Sequence, residues 1–134
     1  MDGEGEKSRQ DIRALIAAHG TLAAGLVSAV QQITGRGAVF LAMSNSSLSL
    51  SDIQDSLARA LDETGARVIF TDLPAGSCTM AVRKLMRART DITLVTGANL
   101  PLLLDFAMQD DVDAVAAAHA ALERGRVSMT AHGA

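Results

Sequence analysis

The chain has 134 residues, a net charge of −3, and a composition that is 49% apolar with three Phe, no Tyr and no Trp. That length supports one domain with a sizeable aliphatic core, and the mildly acidic balance without a basic block excludes an electrostatic nucleic-acid footprint. Cys78 is the only cysteine, so an internal disulfide and a cysteine-based zinc centre are both excluded.

Met1–Gln10 is polar, charged and Gly-containing, and is expected to be a leader outside the fold, with residues 11–134 forming a single domain. It lacks the basic-then-apolar pattern of a signal peptide, and no apolar run approaches a membrane span, so a cytoplasmic location is expected. Ile12–Ala18 is an apolar run of strand length that ends at His19-Gly20. From about Thr21 to Ile33, Leu22, Leu26, Ala29, Val30 and Ile33 recur at helical spacing, and Thr34-Gly35-Arg36-Gly37 stops that helix. Ala38–Met43 is a second strand. The polar loop Ser44–Leu50 follows, and Ser51 with Gln54 predicts a capping box opening a helix that runs to Glu63 and ends at Gly65. Arg67–Thr71 is a β-branched third strand. Ser77 is placed to cap a third helix that runs to about Ala88. Ile92–Thr96 is a fourth strand, and Pro101 suits the first position of a short apolar helix over Leu102–Met108. A last helix starts around Asp110–Asp113 and ends near Arg124-Gly125. Arg126–Ala131 then alternates polar and apolar residues, as a half-exposed strand does.

The alternation βαβαβαβα predicts a three-layer α/β/α fold around a central four-stranded parallel sheet. Such sheets present their sites at the carboxyl ends of the strands. Three loops there carry useful groups: His19 after strand 1, Asp72 and Gly76-Ser77 after strand 3, and Asn99 after strand 4. A carboxylate beside a neutral imidazole fixes its tautomer and leaves the far nitrogen free as a nucleophile. A Gly-Ser helix start offers backbone N–H groups to an anion. Together these parts suit a histidine that accepts a phosphoryl group and passes it on, with Asp72 orienting the ring and Ser77 and the helix amides cradling the phosphate. Taken singly, each group has a plainer use: His19 as a turn residue, Asp72 as a turn former, Ser77 as an N-cap, Asn99 as a turn former. Cys78 reads as a packing residue, and His119 and His132 as structural or exposed. Arg83, Lys84, Arg87 and Arg89 read as a solvated helix face. Neither a nucleotide-binding glycine motif nor a metal-ligand cluster is present in the sequence, and no cofactor is expected.

Three segments also carry a family resemblance. Ala17-Ala18-His19-Gly20-Thr21-Leu22-Ala23-Ala24-Gly25-Leu26 resembles the phosphorylation segment of the mannose-type IIA domains of the bacterial sugar phosphotransferase system. Val68–Ser77 resembles that family's strand-Asp-loop-Gly-Ser segment, and Gly97–Leu103 its G-x-N-x-P-x-L segment, over about residues 12 to 131. The resemblance implies that His19 is phosphorylated, that Asp72 is its carboxylate partner, and that Gly20, Gly76 and Ser77 bind phosphate, with Asn99 and Ser44 as supporting groups. It implies phosphoryl transfer from the histidine carrier protein HPr and onward to a IIB subunit, with contact to the membrane subunits only through IIB. It further implies a homodimer in which a C-terminal strand, here about Arg126–Thr130, crosses to the partner's sheet. Two features depart from the family pattern. Leu73-Pro74-Ala75 stands where many members carry a Gly-rich, aromatic-containing loop, and Cys78 stands where Pro is common. The phosphotransfer subunit of dihydroxyacetone kinase is also similar, although that subgroup more often shows His-Ser than His-Gly. A regulatory module that keeps the fold without turnover is a third reading.

Overall fold

The computed structural model describes residues 11–134; the leader expected over Met1–Gln10 lies outside the described residues. Four strands, β1 (Ala14–Ala18), β2 (Phe40–Ser44), β3 (Val68–Thr71) and β4 (Thr93–Val95), form one sheet in the order β2-β1-β3-β4. Every pairing is parallel. The helices are α1 (Leu22–Thr34), α2 (Leu50–Thr64), α3 (Ser77–Leu85), α4 (Leu100–Ala107) and α5 (Ala114–Val127), with one 3-10 turn at Gly37–Val39 before β2.

Alternation along the strands sorts the core into two layers. Ala14, Ile16 and Ala18 of β1 pack with Val68 and Phe70 against α1, α4 and α5. Leu15 and Ala17 pack with Ile69 against α2 and α3. Buried on both faces, β1 reads as an unbroken apolar run, as central parallel strands do. The chain's three aromatic side chains, Phe40, Phe70 and Phe106, meet in the first layer with ring centroids 5.1 to 6.2 Å apart. Arg13 closes that layer from below, stacking over Phe106 and donating to the carbonyls of Gln109 and Val112.

Several element ends differ from the sequence reading. Helix α2 opens two residues early: Ser49 is the N-cap, its hydroxyl accepting from the Asp52 N–H while the Asp52 carboxylate accepts from the Ser49 N–H. The same spacing of a hydroxyl and an acceptor three residues on exists at both positions. The earlier one places a carboxylate at the positive helix end and brings Leu50 onto the core. Gly65 closes α2 in the left-handed conformation, as its position suggested. The strand expected over Arg126–Ala131 is not formed among the described residues. Arg126 and Val127 continue α5, whose last turn is held against α4 by Asn99, and residues 128–134 follow without a strand.

Candidate functional site at the carboxyl ends of β1 and β3

From β1 the chain turns towards β2 on one side, and from β3 towards β4 on the other, so the crevice between β1 and β3 is where the order of strands reverses. The parallel register pairs Ala17 with Thr71, which sets His19 and Asp72 just beyond neighbouring strand ends. The His19 backbone N–H donates to Asp72 Oδ2 at 3.0 Å, and His19 Nδ1 lies 2.9 Å from the same oxygen. Among the described residues nothing hydrogen-bonds Nε2. Because a carboxylate can only accept, Nδ1 carries the proton and Nε2 presents its lone pair. The His19 side chain is 44% exposed and that of Asp72 10% exposed, so the pair is an open ring standing on a nearly buried acid.

Burial acts to raise the Asp72 pKa, but the hydrogen bonds from the His19 amide and ring outweigh it and hold the carboxyl below its ordinary value. Its other oxygen, Oδ1, is buried without a hydrogen-bond partner among the described residues. The loop after Asp72 is fastened from below by a buried hydroxyl pair. Thr71 and Thr79 meet at 2.6 Å, and the Thr79 hydroxyl donates to the Leu73 carbonyl.

Gly76 is the N-cap of α3, and Ser77 is its first helical residue rather than its cap. The reason is space: a Cβ on residue 76 would lie 2.8 Å from His19 Cε1, so only glycine lets the helix start come this close to the ring. Gly20 turns the chain from β1 into α1 at φ 57°, which a side chain would strain. Ser44, at the end of β2, donates to the Gly20 carbonyl at 2.7 Å and so braces that corner.

Asn45, which the sequence reading passed over as one residue of a polar loop, bridges the two halves. Its Oδ1 accepts from the Gly20 N–H at 3.4 Å, and its Nδ2 donates to Ser77 Oγ at 2.9 Å. The usable signal was its position one residue past β2, beside the β1 corner. Asn99 is bonded elsewhere. It caps α4 through the Leu102 N–H and donates to the Gly125 carbonyl and Ser128 Oγ, joining α4 to the end of α5. Cys78 is buried, and its thiol is pushed up to about 11 by burial and by the Asp72 charge, so it stays protonated. His119 is exposed on α5, and His132 meets only the Thr130 hydroxyl. Arg83 and Lys84 are exposed on α3 and Arg87 in the turn after it, whereas Arg89 is drawn into a 2.9 Å ion pair with Asp62 of α2. Among the described residues there is no metal-ligand cluster and no helix long and apolar enough to cross a membrane.

Known structures share this architecture. A phosphotransferase system component EIIA from Streptococcus agalactiae superposes with a TM-score of 0.73 at 23% identity, over 85% of this chain and 94% of that one. A mannose/sorbose specific IIA subunit of the phosphotransferase system from Enterococcus faecalis gives 0.77 at 21% identity, over 92% and 96%. A sigma-54 interaction domain protein from Enterococcus faecalis gives 0.68 at 14% identity, over 87% and 90%. No curated protein sequence is a match. Residues 13–123 match the family described as PTS system fructose IIA component, which spans the whole sheet and the crevice that holds His19 and Asp72. The chain therefore belongs to that family of IIA components of the sugar phosphotransferase system.

Proposed function

We propose that the protein is a phosphohistidine carrier that takes a phosphoryl group from HPr on His19 Nε2 and delivers it to a separate IIB subunit. The observation that carries this reading is an imidazole 44% exposed to solvent whose Nδ1 is held 2.9 Å from a nearly buried carboxylate. In the transfer, the N–P bond of the donor's phosphohistidine breaks as the Nε2 lone pair forms a new N–P bond. The donor nitrogen recovers the electron pair, and the Nδ1 proton stays with His19. The ring gains positive character as the bond forms, and the Asp72 charge beneath it stabilises that state. The N-terminus of α3, with Ser77 and the backbone N–H groups after Gly76, supplies donors and positive dipole to the phosphoryl oxygens. Onward transfer to IIB is the same step run in the opposite direction, so the site needs no cofactor.

Both partners are proteins, and the rim of the crevice suits contact with them. Leu22, Leu48, Leu73 and Met80 are 40 to 48% exposed, each within a turn of His19, Asn45, Asp72 or Gly76. Apolar side chains left in water around a reactive group are what a transient protein contact can cover. Homodimerisation through the segment after α5 belongs to the same reading: Val127 and Met129 are 66% and 82% exposed, leaving apolar surface for a second subunit.

The test is incubation with phosphoenolpyruvate, enzyme I and HPr, followed by intact mass measurement. One acid-labile phosphoryl group is expected on the wild-type chain and none on His19→Ala. Phosphate on His119 or His132 would overturn the assignment.

A further inference from the structure

The bridge made by Asn45 has a fixed polarity. The Gly20 backbone N–H can only donate, so the Asn45 amide must turn its oxygen towards it. That leaves Nδ2 facing Ser77, and an NH2 group can only donate, so Ser77 Oγ accepts at 2.9 Å. With one lone pair of Oγ occupied from this side, the Ser77 hydroxyl hydrogen points away from Asn45 and is available to an acceptor in the crevice. The adjacent Cys78 thiol is protonated and a weak competitor for it. Asn45 itself is anchored on both sides, its backbone N–H donating to the Ala18 carbonyl at 3.3 Å and its carbonyl accepting from Leu48 at 3.1 Å. The amide is therefore aimed by the end of β1 and by the turn that follows β2.

We infer that Asn45 is a positioning residue that orients the Ser77 hydroxyl as a donor towards the phosphoryl group carried by His19. The inference rests on the proposed function, since without a phosphoryl group the oriented hydroxyl has nothing to serve. Asn45 makes no bond to the phosphoryl group and takes no proton. It acts through Ser77, and it ties the β1 corner to the start of α3 so that ring and cradle keep their spacing. A hydroxyl already turned towards a developing anion needs no reorganisation during transfer.

A double-mutant cycle tests this, using the full chain, phospho-HPr as donor and single-turnover measurement of His19 phosphorylation. Asn45→Ala should slow transfer at saturating donor by about tenfold, as should Ser77→Ala, with the half-saturating donor concentration unchanged. The double variant should be no slower than Ser77→Ala alone. Asn45→Asp keeps the shape and the acceptor facing Gly20 but removes the donor facing Ser77, so it should be slowed at least as much. A melting temperature within a few degrees of wild type shows that the fold is kept. An Asn45→Ala rate equal to wild type, effects that multiply in the double variant, or a loss confined to donor affinity would each overturn the role of Asn45. If wild-type protein takes no phosphate on His19, the functional reading falls, a result distinct from any of these.

Discussion

Replacing Asp72 by Asn separates the charge of this residue from its hold on the ring. An amide could turn its NH2 towards His19 Nδ1, forcing the imidazole proton onto Nε2 and removing the nucleophile. Here it is prevented, because the same Asp72 oxygen also accepts the His19 backbone N–H at 3.0 Å, and a backbone N–H only donates. The replacement amide must keep its oxygen there, so the tautomer survives while the charge is lost. A hydrogen bond to an ionised acceptor stabilises by about 1.5–3 kcal/mol and a neutral one by about 0.5–1.5 kcal/mol. The lost difference, which grows as the ring becomes positive, raises the transfer barrier by about 2 kcal/mol and slows phosphorylation about thirtyfold. The NH2 then occupies the place of the buried, unpartnered Oδ1 and becomes a donor without an acceptor. Because Oδ1 is already unpartnered, that exchange is close to neutral, and the stability lost is that of the two weakened bonds to the His19 amide and ring, about 1–3 kcal/mol or a fall of several degrees in melting temperature. The pH dependence follows from the lowered Asp72 pKa. Stability from a depressed carboxyl is complete above its ordinary value of 3.8 and is lost as pH falls through the lower folded value. The stability gap between wild type and Asp72→Asn should therefore narrow only below about pH 4. The assays are single-turnover phosphorylation from phospho-HPr at neutral pH, thermal melts across the acid range, and ring 15N shifts for the tautomer. A rate loss beyond a thousandfold with the proton moved to Nε2, or no rate loss at all, would refute the reasoning.

Gly76→Ala should damage the site and spare the fold. Backbone φ is −75° there, which alanine accepts, but its Cβ would lie 2.8 Å from His19 Cε1, inside the 3.4 Å of ordinary contact. The ring must shift from its place over Asp72 to make room, and phosphorylation should fall by about tenfold or more while the melting temperature barely changes. Asn99→Ala should do the reverse: loss of the α4 cap and of the bond to the Gly125 carbonyl costs about 1–2 kcal/mol, read as a lower melting temperature, with the phosphorylation rate unchanged. Cys78, buried and with its thiol near 11, should resist iodoacetamide at mildly alkaline pH in the folded protein and react at once in denaturant. Rapid labelling of the native chain would contradict its burial on the core face of α3.

The sheet and most of the helices were legible because period and punctuation agree in this chain. Buried runs of strand length alternate with helical repeats, and glycines such as Gly35 and Gly65 close helices in the left-handed conformation that their positions imply. Where the reading slipped, two local solutions competed and a tertiary contact decided between them. Ser49 and Ser51 both offered a cap, and the core contact of Leu50 favoured the first. Arg126–Ala131 alternates as a strand would, yet α5 runs on through Val127 because Asn99, twenty-six residues upstream, holds the Gly125 carbonyl in its last turn. In the site, the residues legible in advance have chemistry that is unusual for their place: an imidazole at a strand end, an acid at the neighbouring strand end, a glycine opening a helix. Asn45 is not of that kind. Asparagine is common in loops, and its value here comes from facing an N–H that only donates on one side and a hydroxyl that can do either on the other. That directionality exists only once β1, β2 and α3 converge, so it is a property of the fold and not of any segment. The crevice thus combines an acceptor-only acid under the ring with an amide whose accepting end is pinned by Gly20 and whose donating end faces Ser77, and removing the acceptor charge or the donor should slow transfer without unfolding the chain.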